Sequence, residues 1–202
     1  MLRSLHRNRL GAEGAAALAP ALAANGGLAG LTELNIAVNW IKDEGIKAIC
    51  NAVQGNKESK LATLNVACSA ISPVGATAVA AMVAVTGRLT SLDLSNNAGG
   101  ITAEGIAAIA DALRVNGALT SLDLSNNAGG ITAEGITAIA DALRVNGALT
   151  KLSLAWNELE KQGIKALCEA LNQNLTLEEL DLWPQPSWFR GGSSSSSSAS
   201  DC

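Results

Sequence analysis

The residues best placed for chemistry are carboxylates. Asp93 and Asp123 stand thirty residues apart in two copies of one sequence block, and Asp181 takes the matching place further on. Paired acids act as general acid and base only where one of them is held protonated away from water. An open row of acids does not provide that, so the expectation is that no carboxyl here is raised. Gly100 and Gly105 have the spacing that opens a phosphate loop, but Ile106 and Ala107 stand where Lys and Ser/Thr must follow. The single histidine, His6, cannot support a His-based metal cluster or a catalytic triad. The four cysteines, Cys50, Cys68, Cys168 and Cys202, show no C-x-x-C spacing. The sequence therefore predicts no enzyme, no cofactor and no metal site.

What holds the acids in place is a repeat. Residues 89–118 and 119–148 are the same thirty residues apart from Ala107 and Thr137. The same frame starts segments one to seven at Leu2, Leu31, Leu61, Leu89, Leu119, Leu149 and Leu177. Most open L-x-x-L-x-[LIV], and Asn39, Asn97, Asn127 and Asn157 follow three residues on, with Ser69 and Gln185 as replacements. Fixed self-similarity at this period means a solenoid, which offers an extended surface rather than a closed pocket.

The unit has a mechanical reading. Leucines two apart share one face of a short strand. The Asn amide can satisfy backbone groups where the chain leaves that strand. Ile106, Ile109, Ala110 and Leu113 then mark one helical face. Thr102 is placed as an N-cap, Asn116-Gly117 as a left-handed helix stop, and Ser72-Pro73 as a cap followed by Pro at the first helical position. Pro20 should bend or break the first helix. Cys50 and Cys168 share the helix slot of Ala110, so both should be buried and inert. They lie four coils apart, roughly 19 Å at strand spacing, beyond disulfide reach. The cysteines read as a reduced, cytoplasmic pattern.

The 28–30-residue unit with N-x-I-x-x-x-G ahead of its helix resembles the ribonuclease-inhibitor class of leucine-rich repeats. Asn39-Trp40-Ile41 with Gly45, and Asn157-Glu158-Leu159 with Gly163, carry the resemblance best. It covers roughly residues 1–185, with two extra residues before Ile101 and a shortened first segment. It implies an α/β fold, a right-handed horseshoe with a parallel sheet on the concave face and helices on the convex face. The class includes ribonuclease inhibitor, the Ran GTPase-activating protein and the repeat regions of nucleotide-binding receptors. The resemblance specifies fold far more tightly than function.

Composition agrees. Apolar residues make up 48% of the chain and aromatics 2%, so the core must be aliphatic. A net charge of −4 without a basic stripe argues against nucleic-acid binding. The apolar run from Ala78 to Val85 falls far short of the roughly 20 residues that span a membrane. Met1 to Leu10 is basic and acid-free, as a transit peptide would be, but the leucine frame running through it favours a first strand and turn. The expected domain is residues 1–190, six full repeats and a truncated seventh, with a disordered Gly/Ser-rich tail at 191–202. Trp183, Trp188 and Phe189 would cap the last coil or dock a partner, the cap being favoured. The first coil exposes a strand edge that could mediate self-association.

Strand residues between the buried leucines face the concave side: Asn35, Asn65, Asp93, Asp123, Ser153 and Asp181. Lys151 lies two positions before Ser153, and Trp156 just past the strand. A Trp ringed by charge is the make-up of a binding hot spot. The expected protein-binding site is therefore Trp156, Lys151, Asp123, Asp93, Asp181 and Ser153, and the expected function a protein-interaction scaffold. The resemblance also admits a GTPase-activating protein, and the abrupt start admits a fragment of a larger repeat receptor.

Overall fold

The computed structural model describes residues 2–23, 30–97, 100–127 and 131–183. Among these described residues, seven three-residue strands alternate with six helices. The strands are β1 (Leu2–Ser4), β2 (Glu33–Asn35), β3 (Thr63–Asn65), β4 (Ser91–Asp93), β5 (Ser121–Asp123), β6 (Lys151–Ser153) and β7 (Glu179–Asp181). The helices are α1 (Gly11–Ala23), α2 (Lys42–Gly55), α3 (Pro73–Val85), α4 (Ala103–Val115), α5 (Ala133–Leu143) and α6 (Glu160–Leu171). The strands form one parallel sheet in sequence order, and equivalent residues pair: Leu34 with Leu64, Leu64 with Leu92, Asp93 with Asp123. Each helix packs on its sequence neighbours. Parallel strands sit about 4.8 Å apart and packed helices about 8–10 Å. A stack of such coils must curve with the strands inside, which gives the horseshoe its concave sheet.

The leucine frame sorts residues as expected. Leu34 and Ile36, Leu64 and Val66, Leu92 and Leu94, Leu122 and Leu124, and Leu152 and Leu154 are all buried. They meet Ile46 and Ile49, Val79 and Met82, Ile106 and Ile109, and Ile136 and Ile139 from the helices. The helices close in through glycine. A methyl group on Gly105 would stand 2.9 Å from the Ala76 Cβ, and one on Gly45 would stand 2.8 Å from the Ala15 Cβ. Glycine in the first helical turn thus lets each helix rest on the one before it.

Two asparagine ladders tie the coils together. At the strand exit, Asn97 donates to Leu94 O and Ser95 O of its own coil, and its Oδ1 accepts from the Ser69 and Ile71 amides of the previous coil. Asn39, Asn127 and Asn157 make the same kind of bridge. Leaving one such buried group unpaired costs about 1–3 kcal/mol. The second ladder lies at the helix exit. Asn116 donates to Val83 O, Asn146 to Leu113 O and Asn174 to Leu143 O, each reaching the previous coil.

Several local expectations need correction. Asn116 is extended, with φ −87° and ψ 123°, so it bridges coils instead of forming a left-handed stop. Helix α1 runs unbroken through Pro20 to Ala23. Thr102 has the extended N-cap backbone but makes no side-chain cap bond. Ser72 does cap α3 by accepting from the Val74 amide, and Asp43 of the previous coil adds bonds from the Ser72 and Gly75 amides. Cys50 is buried, but Cys168 is exposed, since among the described residues no further helix follows α6 to cover its slot. Cys68 is disulfide-bonded, so the fully reduced pattern does not hold there. Trp183 is 62% exposed and leaves Leu180 and Leu182 only half-buried, so it does not seal the last coil. Trp188, Phe189 and the expected tail lie outside the described residues.

Candidate functional site

The inner face of the sheet carries the predicted acids, and their geometry gives them a structural role that the pattern did not reveal. Each strand ends where the chain turns, and in β2, β3, β4, β5 and β7 the last strand residue caps that turn. The Asp93 Oδ1 accepts from the Ser95 amide at 2.9 Å, and Asp123 accepts from the Ser125 amide at 2.8 Å. Asn35 and Asn65 do the same for the Ala37 and Ala67 amides, and Asp181 for the Trp183 amide. One side-chain oxygen of each acid therefore serves the backbone.

The expectation that no carboxyl would be raised fails at Asp93. Burial pushes its carboxyl above the ordinary value, and the repulsion of Asp123 on the neighbouring strand adds to this. Hydrogen bonds from Ser95 and Asn65 pull the other way.

A shallow groove between β5, β6 and β7 brings together four of the six predicted residues: Asp123, Lys151, Ser153 and Asp181. Its volume of about 270 Å³ lies below the usual range of small-molecule sites. Lys151 is not a free cation. Its Nζ pairs with Glu179 at 2.8 Å on the adjacent strand, and this pairing raises its pKa. Asp93 and Trp156 do not line the groove. Among the described residues no group of three or more His, Cys, Asp or Glu could hold a metal ion.

Trp156 is 45% exposed and lies outside the aliphatic core, as the frame predicts. Its backbone is left-handed, with φ 57°. So are Arg7, Val38, Cys68, Asn96 and Asn126 at the matching position of the other coils. The turn demands this conformation, because the amide there bonds the next coil's carbonyl: Val38 to Ala67 O, Asn96 to Ser125 O, Asn126 to Ala155 O. Asn tolerates the left-handed region, and a bulky residue there costs about 1–3 kcal/mol. A second exposed tryptophan, Trp40, at 57% exposure and φ 52°, entered the sequence reading only within the Asn39-Trp40-Ile41 motif and not as a binding residue, because it lies off the strand rows.

Comparison with known proteins agrees with this geometry. The leucine-rich repeat family matches residues 31–50, 89–110, 118–140 and 148–168. This chain is a leucine-rich repeat protein. Its strand-and-helix units are of the ribonuclease-inhibitor-like kind. Among solved structures it is similar to the actin-binding site 2 of leiomodin-1, with 26% identity and a TM-score of 0.62 over 79% of this chain and 87% of that one. It is also similar in fold to the tropomodulin C-terminal domain of Caenorhabditis elegans, at 17% identity and a TM-score of 0.61, over 81% of this chain and 92% of that one. A search of curated proteins finds no match.

Proposed function

We propose that this leucine-rich repeat chain is a protein-binding scaffold and not an enzyme, that it grips its partner on the concave side of coils five to seven, and that the partner is actin. Trp156 carries the binding-site reading. A half-exposed tryptophan occupies a left-handed position that its sister coils fill with Arg7, Val38, Cys68, Asn96 and Asn126. The left-handed backbone belongs to the turn in every coil, so it is the half-exposed ring that singles Trp156 out, tryptophan being among the residues most enriched at binding hot spots. The groove beside its strand supplies Asp123, Ser153 and Asp181, with the exposed Lys151–Glu179 pair in its lining. Asp93 extends the acidic row by one strand. Actin follows from the likeness to the leiomodin-1 site alone.

The GTPase-activating reading gains no supporting observation, and neither does the reading as a functionless fragment. A cytoplasmic setting suits the free thiols of Cys50 and Cys168, while the bond at Cys68 stands against it. No described helix is long and apolar enough to cross a membrane. The direct test is co-sedimentation with filamentous actin, plus titration against monomeric actin, with GTP hydrolysis by a Ran-type GTPase as a parallel arm. Saturable actin binding supports the reading. Absence of binding to either form removes actin as the partner, and accelerated GTP hydrolysis would replace the scaffold reading with the enzymatic activator.

A further inference from the structure

Helix α3 departs from its sister helices on the side that faces solvent. The repeat frame aligns Val74 with Glu44, Glu104, Glu134 and Gln162. It aligns Ala81 with Asn51, Asp111, Asp141 and Glu169. At these exposed positions the other helices carry charged or amide side chains. Helix α3 carries none and has no charged residue anywhere along its length. Val74 is 52% exposed and Val85 is 70% exposed, and Thr77 and Ala81 between them are exposed as well. Val115 and Val145 repeat the Val85 position, so the apolar strip continues sideways at its lower end. Contiguous apolar surface on a soluble coil marks an interaction site.

The strip floors a convex groove of about 510 Å³. Lys47 of α2 stands on one rim and Glu104 of α4 on the other, with Val74, Thr77, Ala78 and Ala81 between. Among the described residues, neither rim charge takes part in an ion pair. We propose that this face joins two copies of the chain about a two-fold axis running along α3. Such an axis lays the α2 flank of one copy over the α4 flank of the other. Lys47 of each copy then meets Glu104 of the second copy, and the contact forms twice, as an isologous interface requires. A two-fold axis across the helix would instead oppose like charges. The small Thr77, Ala78 and Ala81 side chains let the two helices approach closely. Glu44 shares the flank of Lys47 but does not line the groove.

The test is sedimentation equilibrium of the whole chain from micromolar to millimolar concentration. The expected result is a monomer–dimer equilibrium that Ala81→Asp weakens at least tenfold. The fold accepts an acid there, since Asp111 and Asp141 hold the matching places, and an unchanged thermal melt checks this. Val74→Glu, matched by Glu104 and Glu134, serves as the second variant. Lys47→Glu alone and Glu104→Lys alone should each weaken association a few-fold, the scale of exposed ion pairs. Mixing these two single variants should restore it, because every contact is again Glu with Lys. A monomer throughout the range overturns the proposal. So does association that Ala81→Asp and Val74→Glu leave untouched, the result expected if the edge strand β1 joined the copies instead. A mixture no stronger than its components overturns the two-fold axis.

Discussion

Asp93 shows how one residue position is pulled two ways. The turn needs a side-chain oxygen there, and Asn35 and Asn65 supply it without charge. Asp93 supplies it with a charge that burial and Asp123 both disfavour. Its carboxyl is raised in the folded chain above the ordinary value of 3.8, so the folded state holds that proton more tightly than the unfolded chain. Stability from this group is therefore present at low pH and lost as pH rises through the raised value, and the penalty is complete at neutral pH. Asp93→Asn should raise the melting temperature at pH 7, and the gain should shrink as pH falls toward 3.8. A pH series of thermal melts on both proteins checks this. A variant less stable at pH 7 would mean that the Ser95 hydroxyl bond outweighs the buried charge. Elsewhere burial pushes the Cys50 thiol up to about 12, in keeping with a core residue, while Cys168 is exposed because burial in a helix slot depends on the coil that follows.

At the scale of elements, glycine 105 separates local preference from packing. Alanine is favoured over glycine inside a helix by about 1 kcal/mol. Overpacking costs about 1–3 kcal/mol, and the new methyl would meet both Ala76 and Pro73. Gly105→Ala should therefore lower stability by up to about 2 kcal/mol in chemical denaturation, while Gly117→Ala, with open space around it, should not. Equal effects at the two sites would remove the close helix approach from the account. The strands and helical faces were legible in the sequence because periods of two and 3.6 leave direct traces, as at Leu92, Leu94, Ile106 and Ile109. The first asparagine ladder was legible because Asn39, Asn97, Asn127 and Asn157 recur at one fixed offset in the repeat. The second ladder, the turn-capping role of Asp123 and the Lys151–Glu179 pair were not. The ladder and the ion pair depend on what the neighbouring coil places alongside, which needs the register between coils, and the cap on Asp123 depends on the local turn geometry. The recurrence of Asn56, Asn116, Asn146 and Asn174 was the available signal for the second ladder. For the left-handed row, Asn96 and Asn126 were the clue that Trp156 sits where Asn is at ease.

The whole molecule behaves as a sum of coils and coil–coil contacts. Removing residues 119–148 joins Ala118 to Leu149, a junction identical to the native Ala148–Leu149. Every interface left then already exists in the chain, apart from Ala107 in place of Thr137. The shortened protein should fold with the same spectrum, melt at a lower temperature and show a smaller denaturant slope. Loss of folded structure would contradict a nearest-neighbour solenoid. The surface this solenoid presents is the central claim, and Trp156→Asn tests it most directly. Relief of left-handed strain, about 1 kcal/mol or more, offsets the lost burial of a half-exposed ring, so the fold should hold. Loss of a hot-spot tryptophan costs about 2 kcal/mol or more, close to a thirty-fold rise in Kd. The decisive measurement is the Kd for actin of the native chain and of Trp156→Asn, by calorimetric titration, with a thermal melt of each. The account predicts affinity weakened about thirty-fold and an unchanged melt. Unchanged affinity would contradict binding through this face, and a collapsed melt would make Trp156 a packing residue.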